Sequence, residues 1–251
     1  MTRAPDRPVW ASLTDSRGPH WNALEHDYVP IGLLNLIQAP PAVVLDVGCF
    51  CGAVGAWLKD KYSKVRVVGI EPYEKAASEA RTKLDAVLHG TLEQVNLSDA
   101  GIGPGSVDVI VLADVLEHMY DPWQAMVMLR PLLKPGGIVL ASIPNIRNLT
   151  ILEQLAQGDF AYAESGLLDI THIRFFTWRG VQRLFDETGY RIEETTGTLD
   201  SRCQSVLEAL QQPPPITIDT PSVQIKNQTR DQIAELATLQ YWLRASPVLQ
   251  R

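Results

Sequence analysis

An apolar strand that ends in an acid and a glycine-rich turn is the feature that most constrains this fold. Val43-Val44-Leu45-Asp46-Val47 is a mostly β-branched run of the kind that forms a buried parallel strand. The turn Gly48-Cys49-Phe50-Cys51-Gly52 follows, and an amphipathic helix is predicted over residues 52–62. Glycines let a turn bring its N–H groups close to a ligand, and a helix N-terminus favours a carboxylate or phosphate. The stretch therefore predicts a ligand site at the carboxyl end of the first strand.

A second strand makes this prediction more specific. Residues 65–70 are again mainly apolar, and Glu71 follows them directly. An acid about 20 residues beyond the glycines is the usual partner of a pair of ribose hydroxyls. Asp46 and Glu71 around a glycine turn therefore indicate a cofactor that contains adenosine.

The spacing of the glycines argues against a dinucleotide. A dinucleotide loop needs glycine at its second position so that the backbone can approach the pyrophosphate. Phe50 occupies that position here, and its side chain would crowd a pyrophosphate. An oxidoreductase that binds NAD or FAD is therefore the disfavoured alternative.

Predicted strands and helices alternate along the chain. Further strands are expected at 86–88, 107–112 and 138–143, and helices at 73–84, at 121–134 and from Trp178 onward. This alternation favours an α/β fold, a doubly wound, Rossmann-like, mostly parallel sheet with helices on both faces. Outside it, helices are also predicted over 21–38, with an interruption near Pro30, and over 229–244.

Three motifs in order resemble the class I S-adenosylmethionine (SAM) methyltransferases. They are the acid-x-glycine turn after strand one, Asp-Val-Leu-Glu-His at 114–118, and Leu-Lys-Pro-Gly-Gly at 133–137. The resemblance covers roughly residues 24–195. The family usually has Gly-Thr-Gly where Phe50-Cys51-Gly52 stands. The resemblance implies the class I methyltransferase fold, SAM as cofactor, and methyl transfer as the reaction.

The resemblance also implies which residues bind the cofactor. Its carboxylate is expected at the turn 48–52, its ribose on Glu71, and its adenine near Thr91 and Leu92. Tyr28 is expected to reach over the cofactor, with a packed aromatic as the alternative. The full predicted set is Tyr28, Asp46, Gly48, Cys49, Phe50, Gly52, Glu71, Pro72, Thr91, Leu92, Ala113 and Asp114.

His172 and Asp114 are the predicted catalytic residues. An oxygen nucleophile must lose a proton, so a base with a pKa near neutrality assists methyl transfer. His172 lies in a segment, 169–177, that resembles one in bacterial methyltransferases associated with glycan or natural-product assembly. We predict His172 as the base, with a hydrogen-bonded anchor as the alternative, and Asp114 near the reacting centre.

Two further groups of polar residues leave alternatives open. Asp114, Glu117 and His118 would share one face of a helix, and a resemblance to quinone-pathway methyltransferases implies magnesium as an alternative. Because no neighbouring oxygen ligands accompany them, we predict no metal. The group Asn145, Arg147 and Asn148 either holds a polar acceptor or caps the next helix.

Composition limits the class of protein. The 22 basic and 29 acidic residues give a net charge of −7, which argues against a nucleic-acid partner. Three cysteines offer no disulfide framework, and no apolar run reaches the length of a membrane span. Without a signal-peptide core either, the expected location is cytoplasmic.

The predicted organisation has three parts. Residues 1–20 form a flexible arm, 21–200 the SAM-binding domain with a lid at about 145–177, and 201–251 an extension that packs on the domain or forms a homodimer contact. The predicted reaction is methyl transfer to an oxygen of a small-molecule or glycan-linked sugar acceptor. Alternatives are N- or C-methylation in a natural-product or quinone pathway, and a non-catalytic SAM-binding scaffold.

Overall fold

A seven-stranded sheet is the centre of the fold. The computed structural model describes residues 27–248, apart from the side chain of Asn227. The strands are β1 (Val43–Val47), β2 (Arg66–Glu71), β3 (Ala86–His89), β4 (Val107–Ala113), β5 (Leu133–Pro144), β6 (Tyr190–Leu199), β7 (Ile216–Asp219), β8 (Gln224–Gln228) and β9 (Thr238–Pro247). The sheet has the order β3-β2-β1-β4-β5-β9-β6, and β7 and β8 form a separate hairpin.

Helices connect most of these strands. They are α1 (Ile31–Leu34), α2 (Ala53–Lys61), α3 (Glu74–Ala80), α4 (Pro122–Leu129), α5 (Leu149–Ala156), α6 (Trp178–Glu187), α7 (Gln204–Ala209) and α8 (Arg230–Ala237), with 3-10 turns at Leu97–Ala100 and Arg130–Leu132. Within residues 27–248, none of these helices has the length and apolar character that crossing a bilayer requires.

The pairing of the strands confirms the predicted doubly wound sheet. The strands β1 to β5 pair in parallel, and β9 runs antiparallel to both β5 and β6. From β1 the chain builds outward through β2 and β3, then returns to add β4 and β5 on the other side of β1. Ligands bind beside such a reversal of strand order, outside the carboxyl ends of the strands.

Both faces of the sheet are buried, which explains the continuous apolar runs in its strands. Successive side chains in β1 alternate between the faces: Leu45 and Val47 pack with residues of α4 and α6, whereas Val44 packs with residues of α1 and α2. The helices therefore cover both faces, as predicted.

The predicted helix over 229–244 is wrong beyond Ala237. The helix α8 ends there, and β9 begins at Thr238. Apolar residues three apart suggested a helix, but Tyr241, Leu243 and Ala245 instead alternate onto one buried face of the sheet. Trp242 packs on the opposite face. A strand buried on both faces has no polar side, so its pattern also fits a helix.

Several helix boundaries also differ from the prediction. The helix predicted over 73–84 ends at Ala80, and that predicted over 121–134 ends at Leu129. A 3-10 turn containing Pro131, which has no N–H to donate, leads directly into β5. Of the helix predicted over 21–38, the described residues show α1 alone; residues 1–26, including the predicted arm, lie outside the described part.

A third apolar cluster joins the segments after β5 and β6. It contains residues of α5, α7, β7, α8 and their surroundings, among them Leu149, Val206, Ile216 and Ile233. This cluster, called the cap here, packs beside the carboxyl end of β5 through Asn145, whose amide donates to the Glu235 and Thr238 carbonyls. The predicted lid role of 145–177 stays a prediction.

Candidate active site

A cavity of about 1300 Å³ lies at the carboxyl ends of β1, β2 and β4. Among the residues that line it are nearly all of the predicted cofactor set: Tyr28, Asp46, Gly48, Cys49, Phe50, Glu71, Pro72, Thr91, Leu92, Ala113 and Asp114. The predicted base His172 also lines it. The cavity therefore brings together residues that are widely separated in the sequence.

The two outer glycines of the turn have different roles. Gly48 has a φ of +70°, and a Cβ there would lie 2.7 Å from a methyl group of Val115. Gly52 has a φ of +80° and begins α2; a Cβ there would lie 3.2 Å from the Cα of Ala80. Gly52 does not line the cavity, so its observed role is to let α2 pack closely against α3.

Most N–H groups of the turn are already hydrogen-bonded within the protein. Those of Gly48 and Cys49 donate to the Ile70 carbonyl, and that of Gly52 donates to the Cys49 carbonyl. The first turn of α2 also lines the cavity through Ala53 and Val54. N–H groups in a first helical turn have no partner inside the helix, so this turn offers donors to a ligand.

Glu71 holds the turn as well as facing the cavity. Its carboxylate accepts from the N–H of Phe50 and from the N–H of Tyr73, each at 2.8 Å. Phe50 has a φ of +45°, unusual for a residue with a side chain. Burial raises the pKa of Glu71, while the two N–H donors act in the opposite direction. That Glu71 also stabilises the strained turn could not be predicted from the sequence.

Asp46 is buried and incompletely hydrogen-bonded. Only 2% of its surface is exposed, and its Oδ2 atom has no hydrogen-bond partner among residues 27–248. Burial, followed by the nearby charge of Glu71, raises the pKa of Asp46 to about 7. A buried acceptor without a donor is costly, so a cationic or hydrogen-bonding ligand group in the cavity would stabilise Asp46.

Asp114 is fixed by two residues that the sequence did not indicate. Its Oδ1 accepts from Ser142 Oγ at 2.8 Å and from Gln240 Nε2 at 2.9 Å. Its backbone N–H donates to Ser142 Oγ, and its φ is +54°. Burial raises the pKa of Asp114, and its charge in turn contributes to the raised pKa of Tyr28. Gln240 was missed because the segment around it was predicted to be helical.

Glu117, His118 and His172 form a cluster in the cavity wall. Residues 114–118 are not helical, so Asp114 points to Ser142 and Gln240 while Glu117 and His118 meet His172. One ligand atom from each of these three residues lies within 4.8 Å of the others. Burial, then the charges of Asp114 and Asp169, raise the pKa of Glu117 well above its usual value.

The group after β5 packs inside the protein. The Asn148 side chain accepts from the N–H of Thr150 and caps α5, which confirms the capping alternative for this residue. Arg147 donates to Glu235 at 2.8 Å. None of Asn145, Arg147 and Asn148 lines the described cavity.

Comparison with known proteins agrees with this geometry. Residues 23–195 match the methyltransferase domain family. A Mycolicibacterium smegmatis protein named a probable S-adenosylmethionine-dependent methyltransferase is 30% identical over 168 residues, which are 66% of this chain and 58% of that protein. The ubiquinone biosynthesis O-methyltransferase of Thiobacillus denitrificans is 32% identical over 167 residues, 61% of this chain and 66% of that enzyme. The chain thus spans less than two thirds of the length of either relative.

A solved structure shares the fold. The crystal structure of an S-adenosylmethionine-dependent methyltransferase from Mesorhizobium loti has a TM-score of 0.55 and 15% identity, and the match covers 86% of this chain and 95% of that one. At this identity the likeness shows the fold alone. The family match, which covers well over half of the chain, shows that this protein belongs to the methyltransferase domain family of SAM-dependent methyltransferases.

Proposed function

We propose that this protein transfers the methyl group of SAM to an oxygen of a small-molecule acceptor. The observation that supports this most directly is the pair of buried carboxylates, Asp46 and Glu71, beside a strained turn in a large cavity. In the reaction the acceptor oxygen forms a bond to the methyl carbon as the carbon–sulfur bond breaks. S-adenosylhomocysteine leaves as a neutral thioether, and the hydroxyl proton passes to a base.

Each polar part of SAM has a matching group in the cavity. The ammonium of its amino-acid portion would donate to Asp46 Oδ2, which has no partner in the described structure. The ribose hydroxyls would donate to the remaining lone pairs of Glu71, and the adenine would lie near Thr91 and Leu92. The carboxylate is better placed at the first turn of α2 than at the earlier N–H groups of the turn, because these already donate within the protein.

The cavity has room for an acceptor beside the cofactor. Pockets for one small ligand measure about 300–1000 Å³, whereas this cavity measures about 1300 Å³. Its lining also includes His118, His172, Thr198 and Gln240, which are outside the predicted cofactor-binding set. An acceptor held there would face the sulfonium, as in-line displacement requires.

An oxygen acceptor is favoured by the imidazole groups in this part of the cavity. A hydroxyl is a poor nucleophile until its proton is removed, which is a task suited to histidine. Two relatives are named for O-methylation, the ubiquinone enzyme above and the malonyl-[acyl-carrier protein] O-methyltransferase of Xylella fastidiosa. His172 stays our prediction for the proton acceptor, and a glycan-linked sugar stays one of the predicted acceptors.

The test is label transfer from methyl-labelled SAM to a panel of phenols, sugar hydroxyls, carboxylic acids and amines. We expect label in an oxygen-methylated product, with an equal amount of S-adenosylhomocysteine. Label in an amine or carbon product would overturn the choice of oxygen. Tight SAM binding without S-adenosylhomocysteine formation for any acceptor would support the scaffold alternative and overturn the enzymatic proposal.

A further inference from the structure

We propose that Glu117, His118 and His172 bind a divalent first-row transition-metal ion at the acceptor side of the cavity. The inference concerns a ligand site in its own right, and rests on the proposed function only for the chemical role assigned to the ion. It replaces the prediction from the sequence that the protein holds no metal. The three residues also differ from the set considered there, because His172 takes the place of Asp114.

The buried carboxylate of Glu117 is the first observation behind this proposal. Glu117 is 1% exposed, and neither of its carboxylate oxygens has a hydrogen-bond partner in the described part of the chain. Two further carboxylates, those of Asp114 and Asp169, lie close enough to add negative charge around it. A buried charge is retained when it is paired or when it coordinates a metal. A cation in contact with Glu117 would compensate for the missing hydrogen-bond donors and stabilise the charged carboxylate.

The two histidines are oriented as metal ligands usually are. His172 Nδ1 lies 3.2 Å from the Leu167 carbonyl, and His118 Nδ1 lies 3.3 Å from the Thr171 carbonyl. Because a carbonyl can only accept, each of these contacts is a hydrogen bond donated by Nδ1, and Nε2 is the ring nitrogen of each histidine that could coordinate an ion. A ligating histidine commonly donates its other ring N–H to a carbonyl in this way, which fixes its tautomer and orientation.

The position of His172 relative to Glu117 points to the same conclusion. His172 Nε2 lies 4.0 Å from Glu117 Oε1. This separation is too long for a hydrogen bond. A positive ion between the two atoms would be attracted to both. The ring of His118 lies edge-on to that of His172, with their centroids 4.8 Å apart.

The backbone holds the three residues together. The Glu117 carbonyl accepts from the N–H groups of Ile173 and Arg174, the two residues after His172. Thr171 Oγ1 donates to Asp169 and lies 3.1 Å from His118 Nδ1. Residues far apart in the sequence are thus tied at the cluster by hydrogen bonds, which reduces the conformational cost of binding an ion.

The donor set selects the class of ion. Imidazole nitrogens suit zinc, iron, nickel and copper, whereas magnesium prefers an all-oxygen shell. Ligand atoms at about 2.1 Å from a tetrahedral zinc ion lie about 3.4 Å apart. The cluster spans up to 4.8 Å, so its most distant ligand atoms must approach one another by roughly 1–1.5 Å when an ion binds. Three protein ligands leave a coordination position open, as in catalytic zinc sites.

The open position gives the site a role in the proposed reaction. A divalent cation lowers the pKa of a hydroxyl that it contacts and orients that oxygen. The protein's own contribution is to place the acceptor hydroxyl beside the cluster and in line with the sulfonium. With an ion bound, His172 would act as a ligand instead of the base proposed above, and the hydroxyl proton would pass to solvent water.

Direct metal titration tests the proposal. Protein without a histidine tag is treated with a chelator, dialysed, and titrated by calorimetry with ZnCl₂, MnCl₂ and MgCl₂ in the absence of SAM and acceptor. We expect one saturable equivalent of Zn²⁺ or Mn²⁺, bound more tightly than Mg²⁺. Glu117→Gln, His172→Gln and His118→Gln should each weaken binding about 100-fold or more, since even the loss of an outer-shell partner costs about 10–100-fold.

Matched controls make the result decisive. Glu93→Gln and His89→Gln change the same residue types outside the cluster and should bind metal like the wild type. His118 is exposed, so its variant keeps the test valid if a buried variant fails to fold. Absent binding, undiminished binding in His118→Gln, or preference for Mg²⁺ would each overturn the proposal. Without metal binding, lost turnover in His172→Gln would instead support His172 as the base.

The outcome is independent of the proposed function. If the protein binds metal but transfers no methyl group to any acceptor, the proposed function is contradicted and the metal site is supported. If the protein binds no metal and methyl transfer continues unchanged after chelation, only the metal site is contradicted.

Discussion

At the residue scale, three carboxylates of the cavity differ in their hydrogen-bond partners. We expect this difference to determine how each of them responds to a bound ligand. Glu71 accepts two backbone N–H groups, and Asp114 accepts from Ser142 and Gln240. Asp46 has one oxygen without a partner among residues 27–248. Of these three, Asp46 is therefore the carboxylate expected to respond most strongly to a cationic ligand.

The raised pKa of Asp46 predicts that SAM binding depends on pH. With a pKa of about 7, Asp46 is largely protonated at pH 6 in the free protein. The SAM ammonium favours the charged carboxylate, so binding releases a proton and affinity rises between pH 5.5 and 7. Asp46→Asn should bind more weakly and lose this rise. Calorimetry across this range, in two buffers of different ionisation enthalpy, measures both effects.

The control for Asp46→Asn is a change at a second carboxylate that lines the cavity but does not contribute to the pKa of Asp46. Glu71 is the acid whose charge contributes to the Asp46 pKa, while Glu93 is exposed at the cavity edge. Glu93→Gln should keep the wild-type pH dependence. If Asp46→Asn shows the same rise in affinity as the wild type, Asp46 is not the group that titrates on binding.

Glu71→Ala should weaken SAM binding by about tenfold or more, because hydrogen bonds to a charged group contribute about 1.5–3 kcal/mol. Part of the loss comes from the ribose contact and part from the turn, whose Phe50 N–H loses its acceptor. Calorimetric affinity measures the effect, with Glu93→Ala as the matched control. Unchanged affinity would refute the ribose assignment.

At the scale of elements, β9 contributes to the cavity as well as to the sheet. It runs between β5 and β6 and places Gln240 against Asp114. Its neighbour Leu239 also lines the cavity. One strand near the end of the described chain therefore completes part of the cavity wall.

Gln240→Ala should lower kcat more than it lowers SAM affinity. Asp114 would lose one of its two side-chain donors, at a cost to stability of about 1 kcal/mol, and its carboxylate would be less firmly placed. Steady-state kinetics and calorimetry separate the two effects. Gln224→Ala in the β7–β8 hairpin, whose side chain donates to Asp219, should change neither quantity. A parallel loss of SAM affinity would show that Gln240 supports the cofactor site instead.

The elements that were predicted correctly are those with local signals. The strand before Gly48 and the acid that ends β2 are recognisable because each pattern is complete within a few residues. Ser142 and Gln240 have no such signal, because their roles depend on β5 and β9 being neighbours in the sheet. The same reason explains why His172 was predicted to lie in the site as a single residue, while its contact with Glu117 was not predicted.

At the scale of the whole molecule, the sheet depends on residues late in the chain. The strand β9 pairs with β5 on one side and with β6 on the other. Its buried residues Tyr241, Leu243 and Ala245 belong to the main core. Removing β9 would expose that core and leave β6 without its partner.

Truncation after Ala237 should therefore abolish cooperative folding. Several buried side chains would be lost, each worth about 1.5–3 kcal/mol, against a typical total stability of about 5–15 kcal/mol. Circular dichroism melting measures the effect, and a chain that ends at Val248 is the control because it keeps all of β9. A sharp transition in the shorter chain would show that the first five strands form a stable unit alone.

The place of β9 in the sheet also affects how the chain folds during its synthesis on the ribosome. A nascent chain exposes β6 before its hydrogen-bonding neighbour exists, since residues 200–237 must be synthesised between the two strands. During that interval β6 and the edge of β5 present open backbone groups of the kind that pair with other chains. Aggregation during synthesis is therefore expected to depend on how quickly translation proceeds from β6 to β9.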